Sequence, residues 1–284
     1  RGLEPGGRGL LEDAQRAPLA GLAAEARADG VEILSGASAL GYFDGLVPVW
    51  QGDTLHQIRA RQHVFATGTI EQPLVFAGND LPGVMLAGGA RRLASLYSVL
   101  PGQRAVLVTT SDRGLQSAIA LRDLVVQILA VADLRPHLGE LAQTLRSSGV
   151  EVIAGRTVIE ATGRKQVSGA VLAPLGHRRD AGGAGERTFE CDLVLVSGGA
   201  MPASSLLLQA GAQSRYDDAS GQFIINSVPG GIHAAGEVAG AEGPEHAGGG
   251  GYYVQTPGHD GFKSTYERVL GGSTWHWLGH TPRL

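Results

Sequence analysis

Residues 62–88 read QHVFATGTIEQPLVFAGNDLPGVMLAG. The opening run, 63–66, is short, apolar and partly β-branched, which predicts a buried strand. It stops at Thr67-Gly68. With no Cβ at Gly68 the backbone can turn away from the strand end, and a flat ring or a sugar can approach the main chain closely. Pro73 then enforces an extended segment. Asn79-Asp80-Leu81-Pro82-Gly83 gathers turn formers before a second apolar segment begins at Val84.

On the N-terminal side, residues 13–29 carry Ala and Leu at helical spacing, and Gly30 stands where a helix-ending glycine belongs. A strand is predicted over 31–34. Short strands over 37–42, 47–51 and 54–59 follow, with turns at Asp44-Gly45 and Gly52-Asp53, which makes a β-meander feeding the strand at Val64.

On the C-terminal side, strands over 104–108, 125–132 and 150–154 alternate with helices over 115–124 and 137–147. That order predicts a βαβαβ unit and a parallel sheet. Its first turn, TTSDRG over 109–114, keeps only Gly114 of a G-x-G-x-x-G pattern. Thr109 and Ser111 replace the first two glycines, and a Cβ at the second stands where a pyrophosphate needs bare backbone. Asp133 ends the next strand, where an acid can hold a ribose hydroxyl. Two readings stay open for this unit: a weak NAD site, or a doubly wound domain that has lost its nucleotide. EPGGRG near the start lacks both the spacing and the preceding strand of a phosphate loop.

Further on, 158–161 and 167–172 form a hairpin, and 177–187 reads as an exposed, charged, Gly-rich loop. FECDLVLVSGG, 189–199, repeats the opening pattern: an apolar strand, then Gly198-Gly199. Cys191 reads as a packed thiol. In QFIINSVPGGIHAAGEVAGAEG, 222–243, a strand over 223–225 and a Pro-Gly-Gly turn precede an apolar run into Gly236-Glu237. His233 reads as a core residue.

Composition narrows the function. With 284 residues and 43% apolar content the chain can bury a sizeable core. A net charge of −4, with no basic stripe interleaved with aromatics, argues against nucleic acid and anionic membranes as partners. No apolar run reaches the length of a membrane span. A single cysteine excludes an internal disulfide, a Cys-x-x-Cys centre and a cysteine zinc site, and it fits a reducing cytoplasm. No signal peptide is expected, because no apolar stretch follows the Gly/Pro/Arg-rich opening. The lack of an initiator Met suggests a start inside a longer protein. His246, His259 and His280 lack metal-ligand spacing, so no metal site is expected.

ATG, the polar segment, Pro73 and NDLPGVMLAG together resemble the α subunit of heterotetrameric sarcosine oxidase and its relatives, the opine-oxidase and hydrogen-cyanide-synthase type flavoproteins, over residues 19–247. The resemblance implies an α/β, two-dinucleotide-binding-domain flavoprotein fold (FAD/NAD(P)-binding, Rossmann-like) lacking the first βαβ unit of the FAD domain. Its segments would be a partial FAD-binding domain (1–100), an NAD-type βαβαβ domain with β-meander (101–191), a return to the FAD domain (192–247), and a Gly-rich linker and tail (248–284). FAD is the cofactor implied, with NAD in second place. Thr67, Gly68, Gly198, Gly199, Gly236 and Glu237 would then line the FAD site, Glu237 accepting a ribityl hydroxyl, while Gly114 and Asp133 belong to the NAD-type site. A competing reading makes Glu237 an acid that favours its own helix dipole.

The activity implied is FAD-dependent oxidation of sarcosine, an opine or a similar secondary amine, by one component of a cytoplasmic hetero-oligomer. Hydride abstraction would fall mainly to a partner subunit, and no residue here stands out as catalytic. From Tyr252 the chain resembles glucose-methanol-choline oxidoreductases, pyranose-oxidase relatives in particular. There Gly271-Gly272 would lie against the cofactor and His276 would take the position of a covalent flavin link. The alternatives are therefore a fragment of an alcohol or sugar oxidase and a non-catalytic structural subunit. The breaks at 67–68, 198–199 and 236–237 are expected to meet at one edge of a single layered sheet.

Overall fold

The computed structural model describes residues 13–176, 185–217 and 222–240. The chain runs α1 (Asp13–Ala28), β1 (Ala37–Ala39), β2 (Leu46–Gln51), β3 (Thr54–Arg59), β4 (His63–Phe65), β5 (Thr69–Glu71), β6 (Val84–Leu86) and α2 (Ala87–Tyr97). It continues through β7 (Arg104–Thr109), α3 (Asp112–Asp123), β8 (Gln127–Asp133), α4 (Glu140–Ser147), β9 (Glu151–Ala154), β10 (Arg156–Gly163), β11 (Val167–Pro174) and β12 (Arg187–Phe189). Last come β13 (Leu193–Ser197), β14 (Ala200–Pro202), α5 (Ser205–Gln209), β15 (Gln213–Asp217), β16 (Gln222–Ser227), β17 (Ile232–Ala234) and a 3-10 turn, Gly236–Ala239. Beyond residue 17 the described residues divide into two compact units, one of 18–70 with 201–240, the other of 71–200.

The second unit is built on a five-stranded sheet in the order β6-β13-β7-β8-β9, with every neighbouring pair parallel. Strands RAVLVT and LVLVS are near-continuous apolar runs, as strands covered on both faces require. Successive side chains leave opposite faces. Leu107, Leu193 and Leu195 pack with Ala90 of α2, Leu115 and Leu121 of α3 and Leu145 of α4. Val106, Val108, Val194 and Val196 pack with Val158, Val167, Ala170 and Leu172 of the β10–β11 hairpin.

Several boundaries move for identifiable reasons. Strand β8 begins at Gln127 because Val125 is the residue just past α3: the Val125 N–H donates to Arg122 O at 2.9 Å and the Val126 N–H to Leu121 O at 3.0 Å. Those two bonds close a Schellman motif. The apolar segment that begins at Val84 becomes the short strand β6 and then helix α2. Its buried side is Ala87, Ala90 and Ala94, a helical repeat written in small residues. Strands β6 and β13 pair within this unit, so its limits lie at Glu71 and Ala200 where the sequence suggested 101 and 191.

In the first unit β1-β2-β3 form the expected antiparallel meander, β15 pairs antiparallel with β16, and β4 pairs parallel with β17. Phe65, Leu207, Ile225, Val228, Ile232, Ala234 and Val238 make its core. No strand forms over 31–34, because the Val31 amide closes the end of α1 by donating to Ala26 O, with Gly30 at φ +83°. Among the described residues no βαβ unit precedes the meander. No described helix is long and apolar enough to cross a membrane.

Candidate functional site

Two of the three small-residue breaks come together in the first unit. Parallel pairing of β4 with β17, in the register Ile232↔His63 and Ala234↔Phe65, brings both C-terminal ends to one edge. The Ala235 N–H donates to Phe65 O at 3.0 Å and fixes that alignment. Beyond it, Thr67-Gly68 leaves one strand and Gly236-Glu237 the other. Gly68 (φ +68°) and Gly236 (φ +72°) both occupy left-handed backbone, which an L side chain takes only at a cost.

Thr69 Oγ1 donates to Glu237 Oε2 at 2.9 Å, across 168 residues of sequence. A Cβ placed on Gly68 would stand 3.8 Å from that same oxygen. Thr67 Oγ1 donates to Ala203 O at 2.7 Å, and the Ala203 N–H donates to Gly68 O at 2.9 Å. The polar edge therefore has its own stitching, with Ala66 and Thr67 exposed, Glu237 half-buried and Gly236 buried. Nothing in the sequence pairs Thr69 or Ala203 with this site. A polar β-branched residue directly after Thr67-Gly68 was the only available hint.

The third break belongs to a different sheet, which corrects the expectation of one shared edge. Gly198-Gly199 follows β13 in the five-stranded sheet of the second unit. The Gly198 N–H donates to Gln72 O at 2.9 Å, and the Gln72 N–H donates to Gly199 O at 2.8 Å. A Cβ at Gly198 would meet Gln72 O at 2.8 Å and Leu74 at 3.0 Å, so the protein's own chain fills the space at Gly198. Gly114 is also used internally, since a Cβ there would overlap Thr109. Asp133 is fully buried at the end of β8, and Arg135 takes both of its oxygens.

Glu71, overlooked in the sequence, accepts the Gly88 N–H at the start of α2 at 2.8 Å. Burial pushes its carboxyl above the ordinary range, and the Gly88 amide and Ser197 only partly offset this. Cys191 is the packed thiol expected: burial pushes it up to about 11, far from a nucleophile at neutral pH. His233 is half-buried and bonds Gln62 at 2.7 Å instead of sitting in the core. Among the described residues no group of His, Cys, Asp and Glu could hold a metal ion. Gly271, Gly272, His276, His246, His259 and His280 lie outside the described residues, as does 177–184 of the charged loop.

Comparison with known proteins bears on the fold and on the class of chemistry. No family model matches the chain. Over 193 residues it is 35% identical to the alpha subunit of sarcosine oxidase from Corynebacterium sp. (strain P-1), covering 66% of this chain and 19% of that protein. The corresponding sarcosine oxidase chain of Rhizobium meliloti (strain 1021) is 29% identical over 231 residues, covering 75% and 22% of the two chains. "Hydrogen cyanide synthase subunit HcnB" of Pseudomonas protegens (strain DSM 19095 / LMG 27888 / CFBP 6595 / CHA0) is 25% identical, covering 69% and 47%, and an opine oxidase chain of Agrobacterium tumefaciens (strain Ach5) is 26% identical. The chain thus spans less than half the length of each of these relatives.

Among solved structures, T. acidophilum thioredoxin reductase superposes with a TM-score of 0.56 at 20% identity, covering 81% of this chain and 74% of that one. L-proline dehydrogenase from P. horikoshii superposes with a TM-score of 0.50 at 24% identity, covering 71% and 36%. The chain accordingly has the α/β Rossmann-like fold of the FAD/NAD(P)-dependent oxidoreductases, and its sequence is similar to a segment of the sarcosine oxidase alpha chain.

Proposed function

We propose that the first unit holds part of an FAD molecule at the shared end of β4 and β17, within an oxidoreductase component resembling the α chain of sarcosine oxidase. The observation that carries this reading is Glu237, held by Thr69 beside the bare backbone of Gly68. A carboxylate at a strand end accepts hydroxyl groups of a sugar-like chain, and two glycines in left-handed backbone let such a chain approach the main chain. These residues fit the group. Glu237 would accept a ribityl hydroxyl, Gly68 and Gly236 would give it room, and Thr69 would keep the carboxylate aimed. Bound FAD supplies the hydride acceptor, while this chain's residues bind and orient.

The substrate proposed is a secondary amine such as sarcosine or an opine. It would be oxidised in a cytoplasmic hetero-oligomer whose partner subunit handles most of the amine chemistry. Support comes from the names of the similar proteins. FAD retention by this chain on its own is expected to be weak.

Titration with FAD, followed by quenching of flavin fluorescence, tests the site. Saturable binding is expected, weakened about tenfold in Glu237→Gln, which corresponds to roughly 1.4 kcal/mol. Absence of uptake at millimolar FAD, or uptake indifferent to both Glu237→Gln and Gly68→Val, would sink the assignment.

A further inference from the structure

The fold places a second nucleotide site at the C-terminal edge of the five-stranded sheet, between the β7–α3 turn and the end of β8. Three parts of such a site can be checked here: backbone N–H groups free to meet a pyrophosphate, a helix N-terminus short of negative charge, and an acid free to accept ribose hydroxyls. The protein's own groups engage the acid fully and the other two in part.

Three amides of the turn are spoken for. Thr109 Oγ1 accepts the Ser111 N–H at 3.1 Å and donates to Ser111 O at 2.8 Å. The Thr110 N–H donates to Ser197 O at 3.1 Å and the Gly114 N–H to Ser111 O at 3.3 Å. Helix α3 carries its own carboxylate, Asp112, in its first turn, so the dipole's positive end already faces a negative charge. Arg113, the cation of that turn, lies close enough to Glu71 to lower its pKa.

The acid is occupied as well. Asp133 Oδ1 accepts the Arg135 backbone N–H and Nε, both at 3.0 Å, and Oδ2 accepts Arg135 Nη2 at 2.7 Å. The other arm of the same guanidinium, Nη1, reaches Asp112 Oδ1 at 2.7 Å. Asp133 has no accessible side-chain surface, while Arg135 and Asp112 keep 33% and 54% of theirs. One guanidinium is thereby committed to two carboxylates of the protein itself instead of to a phosphate.

We propose that this unit has replaced a dinucleotide with its own side chains: Thr109 ties down Ser111 in the turn, Asp112 faces the helix dipole, and Arg135 straps the end of β8 to the start of α3 across the ribose position. The unit is then a structural domain that takes neither NAD nor NADP at this edge.

Hydrogen exchange on the full chain tests it, with and without 2 mM (~saturating for a weak site) NAD or NADP. Peptides covering residues 109–116 and 131–137 are expected to exchange at the same rate in all three samples. Saturable protection of either peptide by either nucleotide would overturn the proposal. A second arm uses no nucleotide. Arg135→Ala should speed exchange in the first turn of α3 severalfold, and pairing it with Asp133→Asn should restore part of the protection, because the buried charge left alone is then gone. Unchanged exchange in Arg135→Ala would remove the strap. If Arg135→Ala does not fold, Asp112→Asn probes the strap's exposed end, and the wild-type nucleotide arm decides on its own.

Discussion

Val125 shows most plainly how one residue can oppose its surroundings. It stands at φ +73°, with 83% of its surface exposed, in the position past a helix end that favours glycine. A β-branched side chain there costs about 1–2 kcal/mol of backbone strain, and its exposure leaves little burial to offset it. Val125→Gly should therefore raise stability by about 0.5–1 kcal/mol once the greater freedom of the unfolded glycine is deducted, as read by chemical denaturation. A loss would mean that the side chain packs more usefully than its exposure indicates. Glu71 opposes its surroundings electrostatically. Because burial raises its folded pKa above the ordinary 4.5, the folded protein holds that proton more tightly than the unfolded chain does. Its favourable contribution is whole below the unfolded value and is lost as pH rises through the folded one. Glu71→Gln removes the titration while keeping an oxygen for the Gly88 N–H. Stability of the variant minus that of wild type should climb as pH rises above about 4.5, measured by urea melts at fixed salt. A flat difference would show that Glu71 does not titrate abnormally.

Helix α2 carries the lesson at the level of elements. Its buried side is alanine, so the spaces facing the five-stranded sheet are small, and Ala90 has no accessible surface. Ala90→Leu should cost about 1–3 kcal/mol through overpacking, whereas Ser95→Ala on the exposed side should change stability by only a few tenths; thermal melts separate the two. That same helix was illegible in the sequence. Two adjacent glycines lower helix propensity, and only the structure shows that a Cβ at Gly88 would meet Glu71 Oε2 at 2.7 Å. Strands β7 and β13 were legible because a strand covered on both faces has to be an unbroken apolar run. Register and closure were less so: nothing in the composition of residues 31–34 says that the Val31 amide is spent closing α1. At the candidate site the glycine breaks stand out in the local pattern, and Glu237 comes in only through the family resemblance. Which break each would join could not be read there, because the deciding contacts run from Thr69 to Glu237 and from Gln72 to Gly198. Small residues announce that space exists, but long-range packing decides whether a ligand or the chain itself fills it.

At the scale of the molecule, each unit carries its own core, Leu207 lying fully buried in the first and Leu195 in the second. Units with separate cores unfold as separate cooperative blocks unless a large shared interface joins them. Truncating either leucine to alanine removes buried volume worth about 2–5 kcal/mol from the block that contains it. Calorimetry should therefore resolve two transitions, one lowered by Leu207→Ala and the other by Leu195→Ala, with the double variant close to additive. The proposed flavin gives this prediction a further arm. A ligand that binds one folded block stabilises that block alone, by about 2.7 kcal/mol at a concentration one hundred times its Kd. FAD should raise the transition that Leu207→Ala lowers and leave the other where it was, whereas NAD should move neither. A single transition shifted by both leucine variants would show the two units to be one cooperative body. A flavin effect on the transition governed by Leu195 would relocate the cofactor to the second unit, and Glu237 would lose its proposed role.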